Sequence, residues 1–402
     1  MRSWLRSTPK PASLWRVCKT VAETIDNLLS VGQGSYSLRR LPVRPLELLR
    51  AWDAADEYVL ETVAQEGVLS ADTRLLICND SFGALAVALH AYKPVAVSDS
   101  YLSQQATRLN LADNGLPPDS VQLLDSLSPL PGCFDVVLIK VPKTLALLEE
   151  QLIRLRPSLL PTSQIIVAGM VKTLPPTVWK LLERFVGNTT TGLAKKKARL
   201  IFVQPDLTLP AAASPYPIRY TLEGTDYVLA NHANVFSRDS LDIGTRFFLQ
   251  NLPDRPQALD IIDLGCGNGV VGLMAAAKNP AATVHFVDES FMAVASAQEN
   301  FHHAFASLAR ARFQVGDGLA DFSPESADLI LCNPPFHQHN TIGDQLALSL
   351  FKQAKKVLRV GGELWVIGNR HLNYPQVLGR LFGRHSVVAS NAKFVIVKTV
   401  KR

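Results

Sequence analysis

Residues 259–272 read LDIIDLGCGNGVVG. An apolar run, Leu259–Leu264, meets a glycine-dense turn, Gly265-Cys266-Gly267-Asn268-Gly269, and a helix-forming stretch, Val270–Ala277, follows. Strand, tight turn and helix in that order open a βαβ unit. A second apolar segment, Thr283–Val287, ends at Asp288, 19 residues after Gly269. Glycines let backbone approach a ligand closely, and a carboxylate at the next strand end can accept both ribose hydroxyl protons. The pattern therefore serves a nucleoside at the carboxyl ends of parallel strands. Further on, a buried-type strand, Leu329–Cys332, runs into Asn333-Pro334-Pro335-Phe336.

The same plan occurs earlier in the chain. Arg74–Cys78 reads as a strand, followed by Asn79-Asp80-Ser81-Phe82-Gly83 and a helical stretch, Ala84–His90. Pro94–Val97 leads to Asp99, and Asp135–Ile139 leads to Lys140-Val141-Pro142. Gly83 and Gly269 are 186 residues apart, Asp99 and Asp288 189, Asp135 and Asp328 193. Near-constant offsets indicate a duplication. Strands alternating with helices predict an α/β protein of two tandem Rossmann-like domains with doubly wound, mostly parallel sheets. Pro205, Pro210, Pro215 and Pro217 break the chain between them, since neither helix nor central strand tolerates that density. The expected division is an extension over 1–31, a first domain over 32–204, a linker over 205–217 and a second domain over 218–402. The first domain keeps only Gly83 of the glycine turn and is expected to have lost the ligand.

Composition sets the outer limits. In 402 residues, 47% hydrophobic and 19% charged content excludes wholesale disorder. No uncharged apolar stretch is long enough to predict a spanning helix. The five cysteines are scattered, with no Cys-x-x-Cys spacing, so neither a zinc site nor a disulfide framework is expected and a cytoplasmic home is favoured. The net charge is +6, of which +5 lies in residues 1–40. Residues 41–402 carry the remaining +1, so RNA contacts would come from local patches. The basic segment up to Glu23 is expected to be a poorly ordered extension, with a targeting peptide or an RNA-binding arm as alternatives.

The glycine turn alone is ambiguous, because Gly267-Asn268-Gly269-Val270-Val271-Gly272 also fits a dinucleotide fingerprint. Asp263 before the glycines suits a cationic ligand such as the amino group of S-adenosylmethionine better than a pyrophosphate. Asp317, in Val315-Gly316-Asp317-Gly318, is placed to take an adenine amino group, or is an ordinary turn aspartate. Asn-Pro-Pro-aromatic resembles the signature of methyltransferases acting on planar amino nitrogens. Such an amine has its lone pair delocalised into the ring and is a weak nucleophile. The Asn333 side-chain oxygen and the Pro334 carbonyl can accept its N–H protons and free the lone pair. Proline at 334 and 335 fixes the carbonyl direction. Phe336 can stack on a base, worth about 1–3 kcal/mol. No metal is needed.

Longer segments carry a closer resemblance. They include 51–58 (AWDAADEY), 140–149 (KVPKTLALLE), 196–200 (KKARL), 231–238 (NHANVFSR), Val287-Asp288-Glu289-Ser290 and 333–338 (NPPFHQ). Over about residues 32–402 the chain resembles the bacterial ribosomal RNA guanine-N2 methyltransferases with two tandem methyltransferase-like domains, the large-subunit (23S) branch before the small-subunit (16S) branch. The resemblance implies S-adenosylmethionine as cofactor, the 2-amino group of one guanine as acceptor, and a monomer. It also implies that Gly265, Gly267, Gly269 and Asp288 contact the cofactor, and Asn268, in the same turn, is counted with them. Phe236-Ser237 through Thr245 would close over its methionine end, or pack between the domains. The first domain would help hold RNA.

Lys195-Lys196-Lys197-Ala198-Arg199 is the densest basic cluster in the folded part, and Lys140 and Lys143 sit at a strand end. These six cations suit phosphate contacts, which position RNA without reading its sequence. An adenine-N6 or protein glutamine methyltransferase remains a neighbouring reading, and a non-catalytic RNA-binding assembly factor a more distant one.

Overall fold

The computed structural model describes residues 27–43, 47, 49–334 and 341–402. The basic segment over 1–26 and the motif residues Pro335 and Phe336 lie outside the described residues.

The chain opens on an antiparallel hairpin, β1 (Leu28–Val31) and β2 (Gly34–Ser37). This corrects the expected boundary at residue 32. Leu29 pairs with Tyr36, and both side chains are buried in the first domain's core, so apolar burial draws residues 28–31 into that domain.

The first domain continues with α1 (Ala54–Glu66), β3 (Leu75–Cys78), α2 (Ala84–Ala88), β4 (Val95–Ser98), α3 (Tyr101–Asp113), β5 (Gln122–Asp125) and β6 (Phe134–Lys140). It closes with α4 (Leu145–Leu155), β7 (Leu159–Met170), α5 (Thr177–Phe185), β8 (Gly187–Thr191) and β9 (Ala198–Pro205). A second hairpin, β10 (Ile218–Thr221) and β11 (Val228–Asn231), precedes the second domain. There follow α6 (Ile243–Leu249), β12 (Asp260–Leu264), α7 (Val270–Lys278), β13 (Thr283–Asp288), α8 (Phe291–Phe305), β14 (Ala311–Val315) and β15 (Ala327–Cys332). Last come α9 (Thr341–Val357), β16 (Leu358–Asn369), α10 (Tyr374–Phe382), β17 (Ser386–Ser390) and β18 (Phe394–Val400). The expected linker loses its first residue, because Pro205 ends β9.

The two sheets have one topology. Strand order is β5-β4-β3-β6-β7-β9-β8 in the first and β14-β13-β12-β15-β16-β18-β17 in the second. Six strands of each sheet run the same way, and one, β9 in the first and β18 in the second, runs against them and pairs antiparallel on both sides. Central strands are buried on both faces, as in Leu75–Cys78 and Ile261–Leu264, which is why they read as continuous apolar runs rather than alternating ones. Strand order reverses between β12 and β15, which opens a crevice beyond their carboxyl ends. Register fixes what lines it. Leu264 is level with Val287 and Cys332, and Asp288 with Val315. Gly265, Asp288, Asn333 and the turn of Asp317 therefore leave the sheet side by side.

The domains meet where the N-termini of α3 and α8 face each other. Ser100 and Ser290 form an antiparallel bridge, with Tyr101 N donating to Glu289 O (2.9 Å) and Phe291 N to Asp99 O (3.1 Å).

Candidate active site

The glycine turn divides into two uses. Gly265 and Gly267 have φ of +73° and +54°, and a Cβ on either would meet no heavy atom within 4 Å. Gly269 also has positive φ, but a Cβ there would lie 2.7 Å from Ala297 Cβ on α8. Gly83 repeats this in the first domain, 2.8 Å from Thr107 Cα on α3. The last glycine therefore lets helix pack on turn, and the open cradle belongs to Gly265 and Gly267. That explains why Gly83 survives in the first domain. At the position of Gly265 stands Asn79, also left-handed (φ +64°), its amide bonded to Lys140 O (3.0 Å) and Gln151 Oε1 (2.8 Å). At the position of Cys266 stands Asp80, whose buried carboxylate accepts the Ala84 and Ala86 N–H groups (3.0 and 2.9 Å). The first turn is filled by its own side chains.

In the second domain Asp288 accepts Gly267 N at 2.9 Å and Ser290 N at 3.0 Å. Burial raises its pKa against those two bonds. Asp263 is 2% exposed and accepts Gly272 N at 2.7 Å. Burial pushes its carboxyl up to about 8, and a cation beside it would favour the charged form. Asp317 is half-buried, and burial, then the Asp321 charge, raises it. Asn268 departs from the expected contact role. Its Nδ2 donates to Asn231 Oδ1 (2.9 Å) and Tyr220 OH (3.2 Å), and its Oδ1 accepts Val270 N (3.2 Å), so the side chain ties the turn to β10 and β11. Phe236 is 67% exposed, and Ser237 donates to Ser240 O (2.6 Å) within its own turn.

Asn333 follows β15. Its Nδ2 donates to Thr245 Oγ1 at 3.0 Å, while its Oδ1 is buried with no hydrogen-bond partner among the described residues. Thr245 lies in the first turn of α6, whose N-cap is Asp242. Asp242 Oδ2 accepts Thr245 N at 2.8 Å and lies 3.3 Å from Thr245 Oγ1. The hydroxyl proton faces Asp242, so its lone pair faces the amide and sets which end of Asn333 is the acceptor. Reading the sequence missed this role for Asp242 and Thr245. Its signal was present, since Asp53 and Asp56 stand 189 residues before Asp242 and Thr245.

That earlier pair corrects the expectation for Lys140. Lys140 stands where the second domain has Asn333, and its side chain is 13% exposed rather than open to phosphate. Nζ is 2.6 Å from Asp56 Oδ1 and 2.9 Å from Asp53 Oδ1. Burial works against its charge, but the Asp56 and Asp53 carboxylates hold it above the usual lysine value. Burial raises Asp56 to about 6 in spite of Lys140. Lys195 and Lys196 pair with Glu61 and Glu57 of α1. Arg199 is half-buried, and its Nε has no hydrogen-bond partner among the described residues. Lys143 and Lys197 are exposed and make no ion pair among the described residues. The described residues contain no cluster of three His, Cys, Asp or Glu suited to a metal, and no helix long and apolar enough to cross a membrane.

Residues 26–207 match the family described as RLMG N-terminal domain, and residues 226–398 match Methyltransferase small domain. A protein of Streptomyces griseus subsp. griseus named Ribosomal RNA large subunit methyltransferase G is 49% identical, covering 94% of this chain and 100% of its own. Its namesake in Aeromonas salmonicida is 50% identical over the same shares. The fold is shared with a T. thermophilus 16S rRNA N2 methyltransferase (RsmC), solved with AdoMet and guanosine. The TM-score is 0.73 at 20% identity, over 93% of this chain and 97% of that one.

Proposed function

Because the chain belongs to the ribosomal RNA large subunit methyltransferase G family, we propose that it methylates the exocyclic 2-amino group of one guanine in 23S ribosomal RNA. One observation carries the catalytic assignment: the buried Asn333 Oδ1 has no donor among the described residues and lies one strand from the glycine cradle. An unmet buried acceptor is costly, so the site is completed by a ligand N–H.

S-adenosylmethionine supplies an electrophilic methyl carbon on a sulfonium. The residues present fit that cofactor. Gly265 and Gly267 leave the space a Cβ would fill, Asp288 is held by two N–H groups toward the ribose hydroxyls, and Asp263 complements the ammonium. Asp317 is the candidate for the adenine amino group. Asn333 Oδ1 and the Pro334 carbonyl accept the two protons of the guanine amine. That turns the nitrogen toward tetrahedral geometry and localises its lone pair, while Thr245 keeps the amide oxygen facing it. Holding the amine in this pose accounts for most of the acceleration. A guanine inside a helix must be extruded at a few kcal/mol, so an unpaired guanine is the favoured target. On the first domain, the exposed Lys143, Lys195, Lys196 and Lys197 are the cations offered to phosphate.

Radiolabelled methyl transfer to 23S and 16S RNA, free and as subunits from a strain lacking the endogenous enzyme, tests the reading. Label must appear as N2-methylguanine in 23S RNA alone, and its rate must fall at least about 100-fold with Asn333→Ala. Label in 16S RNA, or on another base, overturns it.

A further inference from the structure

Asp99 follows β4, and Val97 is level with Cys78 as Val287 is with Leu264, so Ser98 stands where the second domain has Asp288 and Asp99 where it has Glu289, which corrects the pairing of Asp99 with Asp288 expected from sequence spacing. Asp99 is 4% exposed and every partner it has is a donor. Oδ1 accepts Ser126 Oγ (2.5 Å) and Met292 N (2.9 Å), and Oδ2 accepts Ser290 Oγ (2.6 Å) and Asn234 Nδ2 (2.7 Å). Three of these four donors belong to the second domain. Ser290 is the link. Its Oγ donates to Asp99 and caps α8 by accepting Ala293 N (3.1 Å), while its own N–H holds Asp288 Oδ1. The adjacent Glu289 is held by Ser100 Oγ at 2.5 Å.

We propose that Asp99 is a positioning residue for the ribose site of the other domain, acting through Ser290 on Asp288. A carboxylate of the first domain thus orients the one at the ribose site, so the first domain is wired to the cofactor site. This rests on the assignment of Asp288 to the ribose hydroxyls. Asp99→Asn is the sharp perturbation. Either orientation of the amide sets its N–H2 against a donor, Met292 N on one side or the Asn234 amide on the other. Ser290→Ala breaks the same link from the second domain.

The test is calorimetric titration of the full chain with S-adenosylhomocysteine and with its 2′,3′-dideoxy analogue. Wild type must prefer the ligand bearing hydroxyls. Asp99→Asn and Ser290→Ala are each expected to weaken S-adenosylhomocysteine about tenfold, the size of one charge-assisted hydrogen bond, and to leave the analogue unchanged. Thermal melts establish that each variant is folded, and Ser290→Ala decides if Asp99→Asn is not. Unchanged S-adenosylhomocysteine binding, or equal losses for both ligands, overturns the proposal. A wild type that binds both ligands alike removes Asp288 from the ribose and takes the proposal with it.

Discussion

Thr245→Val removes one hydroxyl and keeps the shape of the side chain. In the wild type that hydroxyl accepts Asn333 Nδ2 at 3.0 Å and faces Asp242 Oδ2 at 3.3 Å, so only one amide orientation is satisfied. Valine leaves two orientations of similar energy, one of which points Nδ2 at an amine that needs an acceptor. The lost hydrogen bond is worth about 1 kcal/mol, and the stranded amide donor about 1–3 kcal/mol. A barrier raised by about 1.4 kcal/mol slows the step tenfold. Single-turnover methyl transfer should therefore be about tenfold slower in Thr245→Val, with cofactor affinity within about twofold of wild type. Asn333→Ala deletes the acceptor itself and should lose about 100- to 1,000-fold, the scale of a missing preorganised hydrogen bond at a reacting centre. Thr245→Ser restores the hydroxyl and should restore the rate. A valine variant within twofold of wild type, or a serine variant as slow as valine, refutes the argument that Thr245 orients the amide.

Lys140→Met should cost about 3–5 kcal/mol of stability in urea melts, because it strands the buried Asp56, and should leave the salt dependence of RNA binding unchanged. A lowered salt slope would return Lys140 to the phosphate contacts. Burial raises Asp263 to about 8, and an ammonium bound beside it would favour its charged form. Cofactor affinity should rise up to about tenfold per unit between about pH 6 and 7.5, with a proton released on binding. Calorimetry in buffers of different ionisation enthalpy reads this, and Asp263→Asn should abolish slope and release together. Gly267→Ala should weaken cofactor binding with little loss of stability. Gly83→Ala should lower stability by about 1–3 kcal/mol, since its Cβ meets the backbone of Thr107. Equal melting temperatures for the two alanine variants would undo the division of the glycines.

Much of the architecture was legible because it rests on local patterns. Doubly buried strands show as apolar runs, and a repeated strand-turn-helix shows as constant offsets. Asp288 and Asn333 were legible for the same reason, since strand ends at a switch point are where ligands bind. The errors share one physical origin. Exposure and pairing are tertiary properties, and a lysine at a strand end looks alike whether it faces solvent or two carboxylates. Lys140 was read as a cation for RNA, yet its partners Asp53 and Asp56 sit 87 and 84 residues away, at the start of α1. Asn268 was credited with a ligand contact through its neighbours, although its own amide is saturated by β10 and β11. The hairpin of residues 28–37 was shorter than the windows in which periodicity is visible.

The ion pair at Lys140 also bears on the history of the duplication. In the retired copy an ammonium fills the place of the amide, and Asp53, Asp56 and Asp80 have settled around it. Reversion to asparagine by one mutation would leave those carboxylates buried together without a cation. Reverting Asp56 first would leave the lysine short of its closest counter-charge. Each single step back thus passes through a less stable protein. The lysine and its carboxylates are therefore interlocked, and it is electrostatics rather than the fold that resists an asparagine at this place.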